Sequence, residues 1–194
     1  MAEADQVVTM LSLTPSQTVG PFFAYCLTPR SYRGDDLVTS DLTVPGVEGP
    51  RIVIEGTVFD GRGAPIADAM LELWQADARG RFVQERRPGQ FFGFGRAECD
   101  GSGHYSVTTI RPGAAQPRHA PHINVHVFAK GLQRQLFTRI YFADESANAE
   151  DAVLARVPQA FAHTLLAQPV PDKAHHYRFD IRLQGPEETV FFEA

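Results

Sequence analysis

Hydrophobic residues alternate with polar ones through Ala120-Pro121-His122-Ile123-Asn124-Val125-His126-Val127-Phe128. In a strand of period two, Ile123, Val125 and Val127 share one face and His122, Asn124 and His126 the other. The pattern predicts a strand with one side in a core and a row of nitrogen- and oxygen-bearing side chains turned to a cleft or partner. Further runs of β-branched and aromatic residues read as strands at 51–59, 69–76, 104–110, 135–142, 177–183 and 189–192. They are punctuated by Asp60-Gly61-Arg62-Gly63, Asp77-Ala78-Arg79-Gly80, Asp100-Gly101-Ser102-Gly103, Pro112-Gly113, Lys130-Gly131 and Gly185-Pro186. Aspartate–glycine turns between such short runs are the mark of a β-sandwich.

The alternation lapses twice. Up to about residue 50 the periodicity is weak, and Pro15, Pro21, Pro29, Pro45 and Pro50 remove backbone donors, so the stretch reads as an extended arm with loops and no helix. Between Asp144 and Gln168 alanine takes over, and two short helices are predicted at 149–154 and 158–166, the second started by Pro158. The expected fold is all-β: a sandwich of mostly antiparallel strands forming one domain over 51–194, an N-terminal arm over 1–50, and a short helical insert at about 145–167.

Composition narrows the function. A chain of 194 residues can bury one sizeable core, and 14 phenylalanines, 14 prolines and 16 glycines favour strands and turns over a helical bundle. The net charge of -5 argues against a general binder of nucleic acid or anionic membrane, although one local cation could still hold a carboxylate substrate. Cys26 and Cys99 lack metal-site spacing and are expected to be reduced and structural. With an acidic start, Met1-Ala2-Glu3-Ala4-Asp5, and no long apolar run, the expected location is cytoplasmic.

Candidate chemistry gathers at three places. His122 and His126 on one strand face could begin a metal site, but Asn124 stands between them, and a pair four residues apart on a strand is widely separated. Thr14-Pro15-Ser16-Gln17-Thr18-Val19-Gly20-Pro21-Phe22-Phe23 turns abruptly from polar to aromatic. It is either an arm anchored by Phe22 and Phe23, or a segment whose Thr18 hydroxyl and Gly20 backbone meet a ligand while Pro21 holds the bend. Arg139, in a strand otherwise rich in aromatics, is the third, and reads as a structural residue or a buried ion-pair partner.

Five separated motifs carry a resemblance. Pro15-Ser16-Gln17-Thr18-Val19-Gly20-Pro21-Phe22, Leu73-Trp74-Gln75-Ala76-Asp77, Ala120-Pro121-His122-Ile123-Asn124, Thr138-Arg139-Ile140-Tyr141-Phe142 and Tyr177-Arg178-Phe179-Asp180-Ile181-Arg182 occur in the same order as in the intradiol ring-cleavage dioxygenases, which the chain resembles from about residue 14 to 192. That family splits a catechol ring between its two hydroxyl-bearing carbons with dioxygen and a non-haem Fe(III) held by two tyrosines and two histidines. Phenolates are hard anionic donors suited to ferric iron, and imidazoles complete such a site.

Carried over residue by residue, the metal set fails. His122 matches the first histidine, Asn124 replaces the second, the loop at Gly113-Ala114-Ala115-Gln116 lacks a tyrosine, and none lies between Tyr32 and Tyr105. The resemblance therefore implies the family's alpha type of chain, which has no catalytic residue or metal of its own and pairs with an iron-bearing beta chain whose site it helps to line. It further implies that Thr18, Gly20 and Pro21 face that site, and that Lys130, where the family's alpha chains commonly carry arginine, faces a substrate carboxylate. The competing readings are a transthyretin-like β-sandwich binding module without enzyme role, and a self-sufficient enzyme with other metal ligands.

Overall fold

In a computed structural model, Gly20 and residues 23–193 are described. Among the described residues nine strands form in chain order: β1 (Arg51–Phe59), β2 (Met70–Gln75), β3 (Phe94–Glu98), β4 (His104–Ile110), β5 (His122–Phe128), β6 (Leu136–Phe142), β7 (Leu166–Pro169), β8 (His176–Arg178) and β9 (Ile181–Arg182). Hydrogen bonding links them in the order β3-β2-β5-β6-β7-β8-β1-β4, with β9 beside β1. The path folds into two layers. β2, β3, β5 and β6 pair antiparallel in one, β1 and β4 antiparallel in the other, and β7 joins them by pairing parallel with β6 and antiparallel with β8.

Alternation decides which residues meet between the layers. Ile123, Val125 and Val127 of β5 lie in the core with Leu71, Leu73 and Ile140, against Ile52, Ile54 and Val58 of β1 and Tyr105 and Val107 of β4. One polar bridge crosses this interior. Thr109 Oγ1 donates to Gln75 Oε1 (2.8 Å), and Gln75 Nε2 donates to the carbonyl of Ile110 (2.9 Å), so both buried side chains are satisfied.

The strands at 51–59, 69–76, 104–110, 120–128 and 135–142 form as expected, within two residues at each end. Other stretches differ. The N-terminal region holds a short helix, α1 (Phe23–Leu27), and a 3-10 turn (Pro29–Tyr32), because a proline in the first helical turn has no hydrogen bond to lose. The expected strand at 177–183 divides into β8 and β9, since Phe179 N donates to Glu55 O while Tyr105 Oη donates back to Phe179 O. Residues 189–192 make only an isolated bridge, Phe137 to Phe192, because Thr189 Oγ1 accepts from Arg182 N and Val190 O accepts from Thr138 Oγ1. β3 escaped the pattern because Gly93 and Gly95 interrupt its periodicity. The helical insert is present but broken into 3-10 turns at Ser146–Glu150, Leu154–Arg156 and His163–Leu165 around α2 (Gln159–Ala162), and β7 starts where the second helix was expected to end.

Cys26 is exposed, so a structural role is not supported for it, whereas Cys99 is buried and burial pushes its thiol up to about 12. A thiol reagent should therefore label one cysteine rapidly in the folded chain and the second only after denaturation; rapid labelling of both would contradict the packing around Cys99.

Gly56 gives a sharper test. A Cβ there would stand 1.8 Å from the Phe179 carbonyl oxygen, so β1 can approach this segment only without a side chain. Gly56→Ala should cost at least ~2 kcal/mol in urea unfolding, against less than ~0.5 kcal/mol for Leu37→Ala at a largely exposed position.

Candidate functional site

The face of β5 turned away from the core forms cross-strand rows with its neighbours. Asn124 lies opposite Trp74 of β2 and Arg139 of β6, and Trp74 opposite Phe94 of β3. The next row runs Arg96, Glu72, His126, Phe137. Over these rows lies an open depression of about 410 Å³ with Trp74, Phe94 and Phe137 as aromatic walls and Glu72, Asn124 and His126 as polar groups. Trp74 anchors the wall, with Phe92 edge-on at 5.3 Å and Phe82 stacked at 5.9 Å between ring centroids. Glu72 is already committed, since Arg96 donates to its carboxylate through Nε and Nη2.

His122 begins the same face. It is buried, and its Nδ1 donates to the carbonyl of Ala120 (2.8 Å). Burial, aided by the positive charge of Arg139, lowers its pKa against the pull of that hydrogen bond, so the ring is neutral at physiological pH. Its cross-strand partner is Tyr141, with ring centroids 5.4 Å apart. Burial, together with the charge of Asp151, pushes the Tyr141 phenol up to about 12, and its hydroxyl donates to Asp151 Oδ1 (3.2 Å). Arg139 Nη1 reaches the same hydroxyl (3.3 Å), and its guanidinium carbon sits 5.8 Å over the Phe192 ring. The Arg139 Nε is buried without a partner, and among the described residues no carboxylate pairs with this side chain. The ion-pair reading of Arg139 therefore gives way to a contact with a phenol.

Asp151 ties this corner together. Fully buried, it accepts from Ala120 N (2.7 Å), Val153 N (2.8 Å) and Leu154 N (2.8 Å) besides Tyr141. Burial alone would raise its pKa, but these donors outweigh it and hold the carboxyl below the usual range. The sequence reading missed this residue. It is a lone aspartate in an alanine-rich stretch, and nothing local marks it as the partner of a strand 31 residues earlier.

A ferric site of the kind the family resemblance implies does not fit these donors. Beside the imidazoles of His122 and His126, four residues apart on the strand, the face offers a carboxamide, a guanidinium and a phenol that stays protonated and hydrogen-bonded to a carboxylate. Among the described residues no group of three or more histidine, cysteine, aspartate or glutamate side chains is arranged to hold a metal ion.

Of the other expected residues, Thr18 and Pro21 lie outside the described residues. Gly20 is exposed, with nothing within 4 Å of a Cβ built on it, and its carbonyl accepts from Phe23 N (3.2 Å). The α1 segment that follows meets the sheet where Arg96 Nη1 donates to Leu27 O (3.0 Å). Lys130 lies in the turn after β5, with Nζ 3.4 Å from Asp68 and the side chain 54% exposed. Asp68 precedes β2, so this ion pair ties the turn after β5 to the turn before β2, beyond the Met70–Phe128 pair. No helix among the described residues is long and apolar enough to cross a membrane.

Comparison with known proteins extends the geometry. Residues 20–185 match the Dioxygenase_C family, described as dioxygenase. The chain is 44% identical over 196 residues to the protocatechuate 3,4-dioxygenase alpha chain of Burkholderia cepacia, covering 96% of this chain and 100% of that one. It is 32% identical over 182 residues to the beta chain from the same organism, covering 81% and 77%. Among solved structures, the dioxygenase domain of a dioxygenase carbohydrate-binding protein fusion from Streptomyces sp. SirexAA-E superposes with a TM-score of 0.60 at 26% identity, covering 90% of this chain and 99% of that one.

The depressed pKa of Asp151 has a sign. A carboxylate favoured in the folded state adds stability above its unfolded pKa and loses it as pH falls through the folded one, below about 4. Asp151→Asn should cost ~1–3 kcal/mol at pH 7 and flatten the loss of stability between pH 5 and pH 3. Urea midpoints at pH 7, 5 and 3 for both proteins check this; parallel acid losses would remove Asp151 from the account.

Proposed function

This chain belongs to the intradiol ring-cleavage dioxygenase family, and from that membership we propose that it is the non-iron alpha subunit of a protocatechuate 3,4-dioxygenase. The observation that carries the reading is the end-to-end correspondence with an alpha chain, in a molecule whose β5 face sets a carboxamide and a guanidinium beside its one buried imidazole. The assembled enzyme would convert protocatechuate and dioxygen to 3-carboxy-cis,cis-muconate, a step of bacterial aromatic catabolism in the cytoplasm. Similarity to a beta chain as well supports pairing between two related chains.

In this reading the partner is the beta chain, Fe(III) is bound there, and this chain supplies one wall of the substrate site together with half of the interface. The arm, taken as residues 1–50 ahead of a sandwich over 51–194, brings Thr18, Gly20 and Pro21 to that wall. Lys130 faces the substrate carboxylate, which its half-exposed ammonium reaches by leaving Asp68, 3.4 Å away. A lysine supplies the charge without the planar two-pronged fork of an arginine. The half-buried aromatic rings on the outer face, Trp74, Phe94 and Phe137 among them, suit an obligate interface. The transthyretin-like binding module gives way to this reading, since a dioxygenase match spans residues 20–185.

Purification from the native host should bring down a partner of similar size in equal amount, with about one iron per pair and none on this chain alone. Iron on the isolated chain, or no partner at all, would overturn the subunit reading.

Within the complex, Lys130→Ala should raise the Michaelis constant for protocatechuate about tenfold or more, and Thr18→Ala about threefold or more, with iron content unchanged. Wild-type constants in both variants would remove the two residues from the site.

A further inference from the structure

The β5 face keeps one imidazole of the family's metal set, at His122, but it also contains something that a relic of a metal site does not need. Arg139 is paired in register with Asn124, on the strand next to it and on the same side of the sheet. Its Nη1 reaches the Tyr141 hydroxyl (3.3 Å), and Tyr141 is the cross-strand partner of His122. The guanidinium thus belongs to the corner where imidazoles at positions 122 and 124 would converge on an ion. No carboxylate among the described residues neutralises it, and its buried Nε has no partner.

We infer that Arg139 is the resident cation of this face, a fixed positive charge that excludes a metal ion from the His122–Asn124 corner independently of the missing ligands. A guanidinium cannot be deprotonated in a protein, so this charge does not yield to an incoming cation as a protonated histidine would. A divalent ion beside it meets like-charge repulsion in a partly buried setting, where screening by water is weak. The anion bonded to Tyr141 at this corner, Asp151, is already saturated by three backbone donors and a phenol, and offers the ion no compensation. Two obstacles therefore stand in series, the missing ligands and the fixed charge, and restoring the imidazole at position 124 leaves the charge in place. The inference concerns this chain by itself and holds whether or not the subunit reading does.

The test uses the full chain and Ni2+, an ion suited to two imidazoles on one strand face, with wild type as the calorimetric baseline and circular dichroism to establish folding. Asn124→His should bind no more Ni2+ than wild type. Asn124→His with Arg139→Gln should gain one site, at least about tenfold tighter than any on the single variant, and His122→Ala added to that pair should abolish it. Asn124→His with Arg139→Lys should stay silent, because the charge is kept while the shape changes. If the glutamine form fails to fold, Arg139→Met in the same background is read in its place. A new site in Asn124→His alone would overturn the inference. So would a folded neutral variant that gains no site, or a lysine form that binds as well as the glutamine form.

Discussion

The register of β5 is the constraint on which the rest of the molecule hangs. The strand is paired on both edges, with β2 and β6, and its Ile123, Val125 and Val127 are completely buried. A slip of one residue would carry those three side chains to the outside and drive His122, Asn124 and His126 into the core. The apolar face therefore fixes the polar one. Asp151 sets the point where the strand begins, holding Ala120 N, the start of a 3-10 turn and the Tyr141 phenol in one buried cluster. The insert between β6 and β7 is thus a brace for the strand that presents the outer face.

That outer face is neither a worn metal centre nor a blank surface. A histidine held neutral by burial, a phenol held protonated, a carboxylate saturated by donors and a guanidinium with one idle nitrogen form a fixed arrangement of charge. The phenol and the carboxylate are both held away from a change of protonation near neutral pH, which general acid–base work would require. Beside them the aromatic depression around Trp74 offers shape and apolar contact. Both properties suit the proposed subunit role.

The stretches that were misread share a cause. β3 contains Gly95 because Leu42 packs so closely on it that a Cβ would lie 2.2 Å from a Leu42 methyl, and the glycine erased the alternation. The 189–192 stretch has strand composition, yet its polar groups are taken by Arg182 and Thr138 from other strands. The alanine-rich insert has helical composition, but the Asp151 carboxylate draws Val153 N and Leu154 N into a tighter turn. In each case a partner distant in sequence overruled a local preference.

The amino-acid sequence by itself determined the all-β class, the main strands, the two faces of β5 and the incompleteness of the metal set, because alternation and ligand identity are local properties of a chain. Five motifs in order also pointed to the family. Only the tertiary structure decided that Asp151 anchors β5, that Tyr141 is a protonated phenol, and that Arg139 stands across from Asn124. Those facts depend on burial and on strand pairing, and pairing joins residues whose separation along the chain carries no trace of their contact.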